Sequence, residues 1–240
     1  MGRAYEVRKA SIQATGAAKG KVYTTFAKEI YLAAKKGVPE IDANVNLKRI
    51  VEKAKKNQVP TDIINRAIDK AKGVGGEDYQ EIIYEGFGPG ASTLIIKTLT
   101  DNVNRTVGEV RAAFNKVGKS LGVTNSVSYN YDYLGVLSFK SEKGEEVFES
   151  LLNDGIDIID YEDEDGYITI TMHPNDHNKV KDVIEKILPN VDYEVDQIGM
   201  FPKEKVALEG EELETFKKLY NMLDAIDDVT EIYYNVDNEI

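Results

Sequence analysis

Apolar residues recur at helical spacing through the first third of the chain. Val22, Phe26, Ile30 and Ala33 fall on one face, and Gly37-Val38-Pro39 closes that run. Leu47, Ile50, Val51 and Ala54 repeat the pattern over residues 46–58. Thr61, a suitable N-cap, opens a third run with Ile64, Ala67, Ile68 and Ala71 inward and Gly73 at its end. Three such helices bury their apolar faces against one another, so the spacing predicts a small all-helical unit that ends at a Gly75-Gly76 linker. Residues 1–20 hold Gly2, Gly16 and Gly20, show little periodicity, and read as an arm that orders on binding.

Beyond residue 90 the period switches between two and 3.6. Strands are predicted over 92–99, 126–133, 136–139, 193–198, 205–208 and 231–236, and a hairpin over 156–161 and 167–172 around the acidic turn Glu162-Asp163-Glu164-Asp165-Gly166. Val127, Tyr129, Tyr131 and Tyr133 alternate onto one face of their strand. Helices are predicted over 104–116, 145–153, 175–188 and 211–226. From 135 to 198 the order is β-α-β-β-α-β, the ferredoxin-like order. The flanking β-α-β segments, 92–133 and 205–236, combine into a second module of that order with the first inserted into it. The expected fold class is therefore α+β with three domains. They are a helical domain over 1–76, a discontinuous α/β domain from 77–134 and 199–240, and an inserted ferredoxin-like domain over 135–198.

Charge sharpens this division. Residues 1–72 carry 16 Lys/Arg against 7 Asp/Glu, a net of +9, whereas residues 73–240 carry 14 against 35, a net of −21. A basic head on an acidic body suits a protein that offers one module to a polyanion. The absence of cysteine excludes disulfides, thiol nucleophiles and cysteine metal sites, and points to a reducing compartment. No segment has the apolar length of a membrane span, and the opening MGRAYEVRKASIQ lacks the apolar core of a secretory signal. A cytoplasmic protein with no membrane partner is expected, and a monomer is the favoured state.

Candidate binding residues follow from the cations. A helix over 46–58 places Arg49, Lys53 and Lys56 opposite its apolar face. Arg3, Arg8, Lys9, Lys19 and Lys21 add cations in the same module, and together they suit contacts to phosphates of nucleic acid. Asn102, Asn104, Arg105 and Thr106 precede or open a helix. Capping explains part of that set, and an RNA backbone or phosphate at the helix N-terminus would use the rest. Glu85-Gly86-Phe87-Gly88-Pro89-Gly90-Ala91 precedes a strand and reads as a shaped turn, not a dinucleotide loop. His173 and His177 read as surface residues at a helix start. Asp160, Glu162 and Glu164 alternate like a calcium loop with its glycine out of register, so an acidic hairpin tip is expected. No catalytic residues, metal or cofactor are assigned.

These residues resemble the YebC/PmpR family. The resemblance runs through Tyr84-Glu85-Gly86-Phe87-Gly88-Pro89-Gly90, Leu99-Thr100-Asp101-Asn102, Asn104-Arg105-Thr106, Glu109-Val110-Arg111 and Ser126-Val127-Ser128-Tyr129. In the head it rests on Gly20-Lys21, Ala54-Lys55, Pro60 and Ile64-Asn65-Arg66-Ala67-Ile68. The opening Gly2-Arg3-Ala4-Tyr5 is closer to the shorter YeeN-like branch. The resemblance implies three domains around a central cleft and a gene-expression role without catalysis. Two activities are attached to the family: transcriptional regulation at promoter DNA, and a ribosome-associated translation factor that eases synthesis of proline-rich sequences. The acidic body tilts the expectation toward ribosomal RNA or tRNA as partner, with ribosomal proteins beside them and promoter DNA as the alternative.

Overall fold

The computed structural model describes residues 19–73, 79–238 and 240. Residues 128–205 form one compact unit, and the residues on either side of them form the other. The Gly75-Gly76 linker and Arg3, Arg8 and Lys9 lie outside the described residues.

The second of these units begins with helices α1 (Lys19–Lys36), α2 (Val45–Lys56) and α3 (Thr61–Lys72). They close on Phe26, Ile30, Leu47, Val51, Ala54, Ile64 and Ile68, which the 3.6 period places inward, and on Tyr31, which it does not. Asn44 caps α2: its side chain accepts from Leu47 N at 3.0 Å and donates to the Ala33 and Val38 carbonyls, tying the end of α1 to the start of α2. At α3 the cap differs from expectation. Pro60 occupies that place with no side-chain bond, and Thr61 is the first helical residue.

The same unit holds a sheet of order β3-β1-β2-β8, every neighbour antiparallel. It comprises β1 (Gln80–Phe87), β2 (Thr93–Thr100), β3 (Ser120–Leu121) and β8 (Val229–Tyr234). Helices α4 (Val103–Lys116) and α7 (Gly210–Asp224) cover one face through Val110, Phe114, Phe216, Leu219 and Leu223 against Leu94 and Ile96. Strand β1 has no counterpart in the sequence reading. Its Glu81-Ile82-Ile83-Tyr84-Glu85 stretch alternates poorly because Ile83 points out, half exposed, while Glu85 is buried. The module thus runs β-β-α-β, then α-β after the insertion. Residues 205–208 contribute only a single parallel bridge, Val206 to Val236.

The other unit has the sheet order β5-β6-β4-β7, again antiparallel throughout, which is the ferredoxin-like arrangement. Its strands are β4 (Tyr131–Lys140), β5 (Ile158–Glu164), β6 (Tyr167–Met172) and β7 (Tyr193–Pro202); its helices are α5 (Gly144–Asn153) and α6 (His177–Ile187). The two short strands expected over 126–139 are one strand, and residues 128–130 form a 3-10 turn before it. Strand continuity across Leu134-Gly135 comes from pairing on both sides, with Gly199-Ile198 of β7 and Met172 of β6. Asp165 and Gly166 both take positive φ, so the acidic hairpin closes by the mirror-image turn that matches strand twist.

Candidate nucleic-acid interface

Helix α2 has two faces with opposite tasks. Leu47, Val51 and Ala54 are essentially without solvent exposure. Lys48, Arg49, Lys53, Lys55 and Lys56 are all exposed. Three of them sit in the last turn, where cations also complement the helix dipole. Lys53 additionally faces the α1 carboxyl of Glu29. Burial pushes that carboxyl up, Glu231 and Glu81 repel it further, and Lys53 and Lys97 pull the other way.

Helix α1 spends its cations differently. Lys21 bonds the Asp224 carboxylate at 2.7 Å and the Asp224 carbonyl, at the C-terminal end of α7. Lys28 donates to Asp228 Oδ1 at 2.9 Å and to the Asp227 and Leu99 carbonyls at 3.0 and 3.3 Å. Lys21, a sequence-predicted contact, is thus engaged within the molecule. For Lys19 only the backbone is described, at the start of α1.

The Asn102–Thr106 segment converges on Asp228. Asn102 caps α4, accepting from Arg105 N at 3.1 Å. Thr106 is fully buried, and its hydroxyl donates to Asp228 Oδ2 at 2.8 Å, with Thr100 Oγ1 and the Asn102 carbonyl also within 3.1 Å. Thr100 Oγ1 donates to the same carboxylate oxygen at 3.0 Å. Arg105 donates to it through Nη2 at 2.6 Å and Nε at 3.3 Å, and Nη2 also reaches Asp101 at 2.8 Å. Asp228 itself is 3% exposed. Burial alone would raise its pKa, but the hydrogen bonds from Arg105, Lys28 and Thr106 and the Lys28 charge outweigh that and pull it down to about 2. The cluster therefore carries a fixed carboxylate holding two cations of the site. It borders a groove of about 850 Å³ lined by Lys28, Tyr79, Arg105, Glu109, Lys116 and Met222 among others. Of the four predicted residues here, Asn102, Arg105 and Thr106 have internal partners. Asn104 is exposed on α4.

Sequence reading missed Asp228 and Lys28. Each is one ordinary charge in a charged chain, and their partners lie 123 and 200 residues away.

The glycine-rich segment is a shaped turn. Buried Glu85 accepts from Asn125 N at 2.8 Å and Val127 N at 2.7 Å, holding the 122–127 loop. A Cβ at Gly86 would run into the Phe114 ring. The histidines need a correction. His173 is exposed, but His177 is buried, with Nε2 3.0 Å from Asp196 Oδ1. Its position where α6 packs back onto β4 explains the burial. Burial of Asp196 would raise its pKa, yet His177 and Lys181, the latter at 2.7 Å, hold it well below the usual carboxylate range. Among the described residues no three His, Asp or Glu side chains are placed to hold a metal ion, and no helix is long and apolar enough to cross a membrane.

A helical head with a cationic outer face, followed by two antiparallel sheets of which one is inserted in the other, defines an α+β multidomain protein. The chain belongs to the TACO1/YebC family: residues 3–74 match the family's N-terminal domain and residues 79–236 its second and third domains. A Vibrio parahaemolyticus protein named probable transcriptional regulatory protein is 44% identical over 237 residues, covering 99% of this chain and 100% of its own. A Marinobacter nauticus protein of the same name is 42% identical, covering 99% and 98%. The crystal structure of a conserved hypothetical protein from Aquifex aeolicus superposes with a TM-score of 0.72 at 33% identity, over 92% of this chain and 91% of that one. The family's naming is that of regulatory proteins.

Proposed function

We propose that this chain is a non-enzymatic regulator of gene expression that binds nucleic acid through its helical head. The observation that carries this reading is the two-faced α2: its inner side is consumed by the core, and Arg49, Lys53 and Lys56 project from the outer side. Such cations bind phosphates without reading bases, so they position the protein on a polyanion. The preferred partner is RNA of the ribosome, with action as a translation factor. A body of net charge −21 is repelled by a long DNA rod, and a head entering an RNA-lined cavity leaves that body outside. Assistance to proline-rich synthesis rests on the family resemblance alone. A second reading, a promoter-binding transcriptional regulator, is favoured by the names of the relatives.

Sucrose-gradient sedimentation of lysate at moderate salt separates the two. Wild type should travel with ribosomes, and the combined Arg49→Glu, Lys53→Glu, Lys56→Glu variant should stay at the top. Wild type at the top, together with sequence-selective duplex binding at physiological salt, would replace the ribosome reading with the promoter one.

A further inference from the structure

Helix α4 carries a feature that neither its core nor the Asp228 cluster uses. Asn104, Gly108, Arg111 and Asn115 recur at i, i+4, i+7 and i+11, which sets them in one narrow row about 16 Å long. All four are exposed. Among the described residues, none of the Asn104, Arg111 and Asn115 side chains has a hydrogen-bond or ion-pair partner, while Arg105, next to Asn104 but around the helix, is held by Asp101 and Asp228.

Gly108 sits in the middle of this row. An interior glycine weakens a helix relative to alanine, so its presence calls for a reason. Nothing within the molecule supplies one: a Cβ built at Gly108 meets no atom within 4 Å. Local charge supplies a direction. Residues 103–119 hold four Lys/Arg (Arg105, Arg111, Lys116 and Lys119) and one acid, Glu109, inside a body of 14 Lys/Arg and 35 Asp/Glu. The row is a ridge that sets a notch at Gly108 and one unpaired guanidinium, Arg111, between two amides, on a domain that is otherwise strongly acidic.

We propose that this ridge is a second nucleic-acid contact, in which a sugar–phosphate backbone lies across α4 at Gly108. Arg111 takes a phosphate as a forked donor, Asn104 and Asn115 donate amide hydrogens to backbone oxygens on either side, and the missing side chain at Gly108 lets the strand approach the helix. The inference rests on the reading that the protein binds nucleic acid, and adds a site outside the head.

The test is fluorescence anisotropy on the full chain with two labelled probes, a 30-nucleotide RNA stem-loop and a DNA duplex of matching sequence. Arg111→Gln is expected to weaken binding three- to tenfold and to lower the slope of log affinity against log salt by about one. Gly108→Ala is expected to raise the thermal midpoint and yet weaken binding; Gly108→Leu should weaken it further. A helix glycine without a ligand would give the first effect and not the second. Should Arg111→Gln and Gly108→Leu bind both probes as wild type does while the α2 triple variant loses binding, the α4 ridge is refuted and the head stands. Should wild type bind neither probe, the ridge and the head reading fall together.

Discussion

Arg49 on α2 and Arg105 on α4 carry the same guanidinium in opposite circumstances. Arg49 stands exposed on a helix whose other face is packed solid. Arg105, also partly exposed, is clamped between Asp101 and Asp228. Lys28 and Lys21 stand with Arg105, their ammonium groups held by Asp228 and Asp224. A cation already met by a carboxylate has little to gain from a phosphate, because binding one would first break the other. Net charge counts these residues alike, although a cation already held by a carboxylate offers less to a polyanion than one such as Arg49 on the outer side of α2.

The largest effect should come from removing the carboxylate. Asp228→Ala would take the shared carboxylate from Lys28 and Arg105 and one acceptor from each of the Thr100 and Thr106 hydroxyls. A loss of about 3 kcal/mol or more is expected in urea unfolding. An unchanged midpoint would mean that the cations find other partners and that the cluster is not structural.

Acid should reproduce part of this. The Asp228 carboxyl lies at about 2 in the folded chain against an ordinary 3.8, so its contribution is fully present above pH 4 and is lost as pH falls through 2. Nearly two units correspond to about 2 kcal/mol. Glu29 works in the reverse sense, since its pKa is raised and its protonation favours the folded form. Urea midpoints followed from pH 5 to pH 2 should therefore fall less steeply in Asp228→Asn than in wild type. Parallel curves would remove Asp228 from the acid response.

The outward cations should show the mirror image. Combining Arg49→Glu, Lys53→Glu and Lys56→Glu is expected to cut RNA affinity tenfold or more, about 1.4 kcal/mol, and to flatten the salt slope by two to three. Folding stability should shift by no more than about 0.5 kcal/mol per position. A variant that unfolds instead would place these side chains with the internal set.

Lys21→Ala should do least. Its pair with Asp224 is partly exposed, at 17% and 34%, and such pairs contribute about 0–1 kcal/mol. RNA affinity should stay within twofold of wild type. A larger fall would show that Lys21 leaves Asp224 when a polyanion arrives, and would erase the line between the two sets.

Much of the architecture was legible from periodicity. The three head helices, the inserted βαββαβ order and the acidic hairpin all follow from local spacing and turn chemistry. Strand β1 was not, because the buried Glu85 and exposed Ile83 invert the usual alternation; Glu85 is buried to hold two backbone amides of a loop some 40 residues on. His177 was misplaced for a similar reason, since its burial depends on the strand that α6 packs against.

What the sequence by itself determined is the set of local patterns: helical faces, caps, the basic head on the acidic body, and the motifs that mark the family. Tertiary structure alone decided which charges are spent. Lys28, Arg105 and Thr106 meet one carboxylate only because the chain returns, after a whole inserted unit, to lay Asp228 beside β2 and α4. Hydrophobic periodicity is a property of neighbours a few residues apart, whereas an ion pair needs only proximity in space, and proximity across 123 or 200 residues is set by topology.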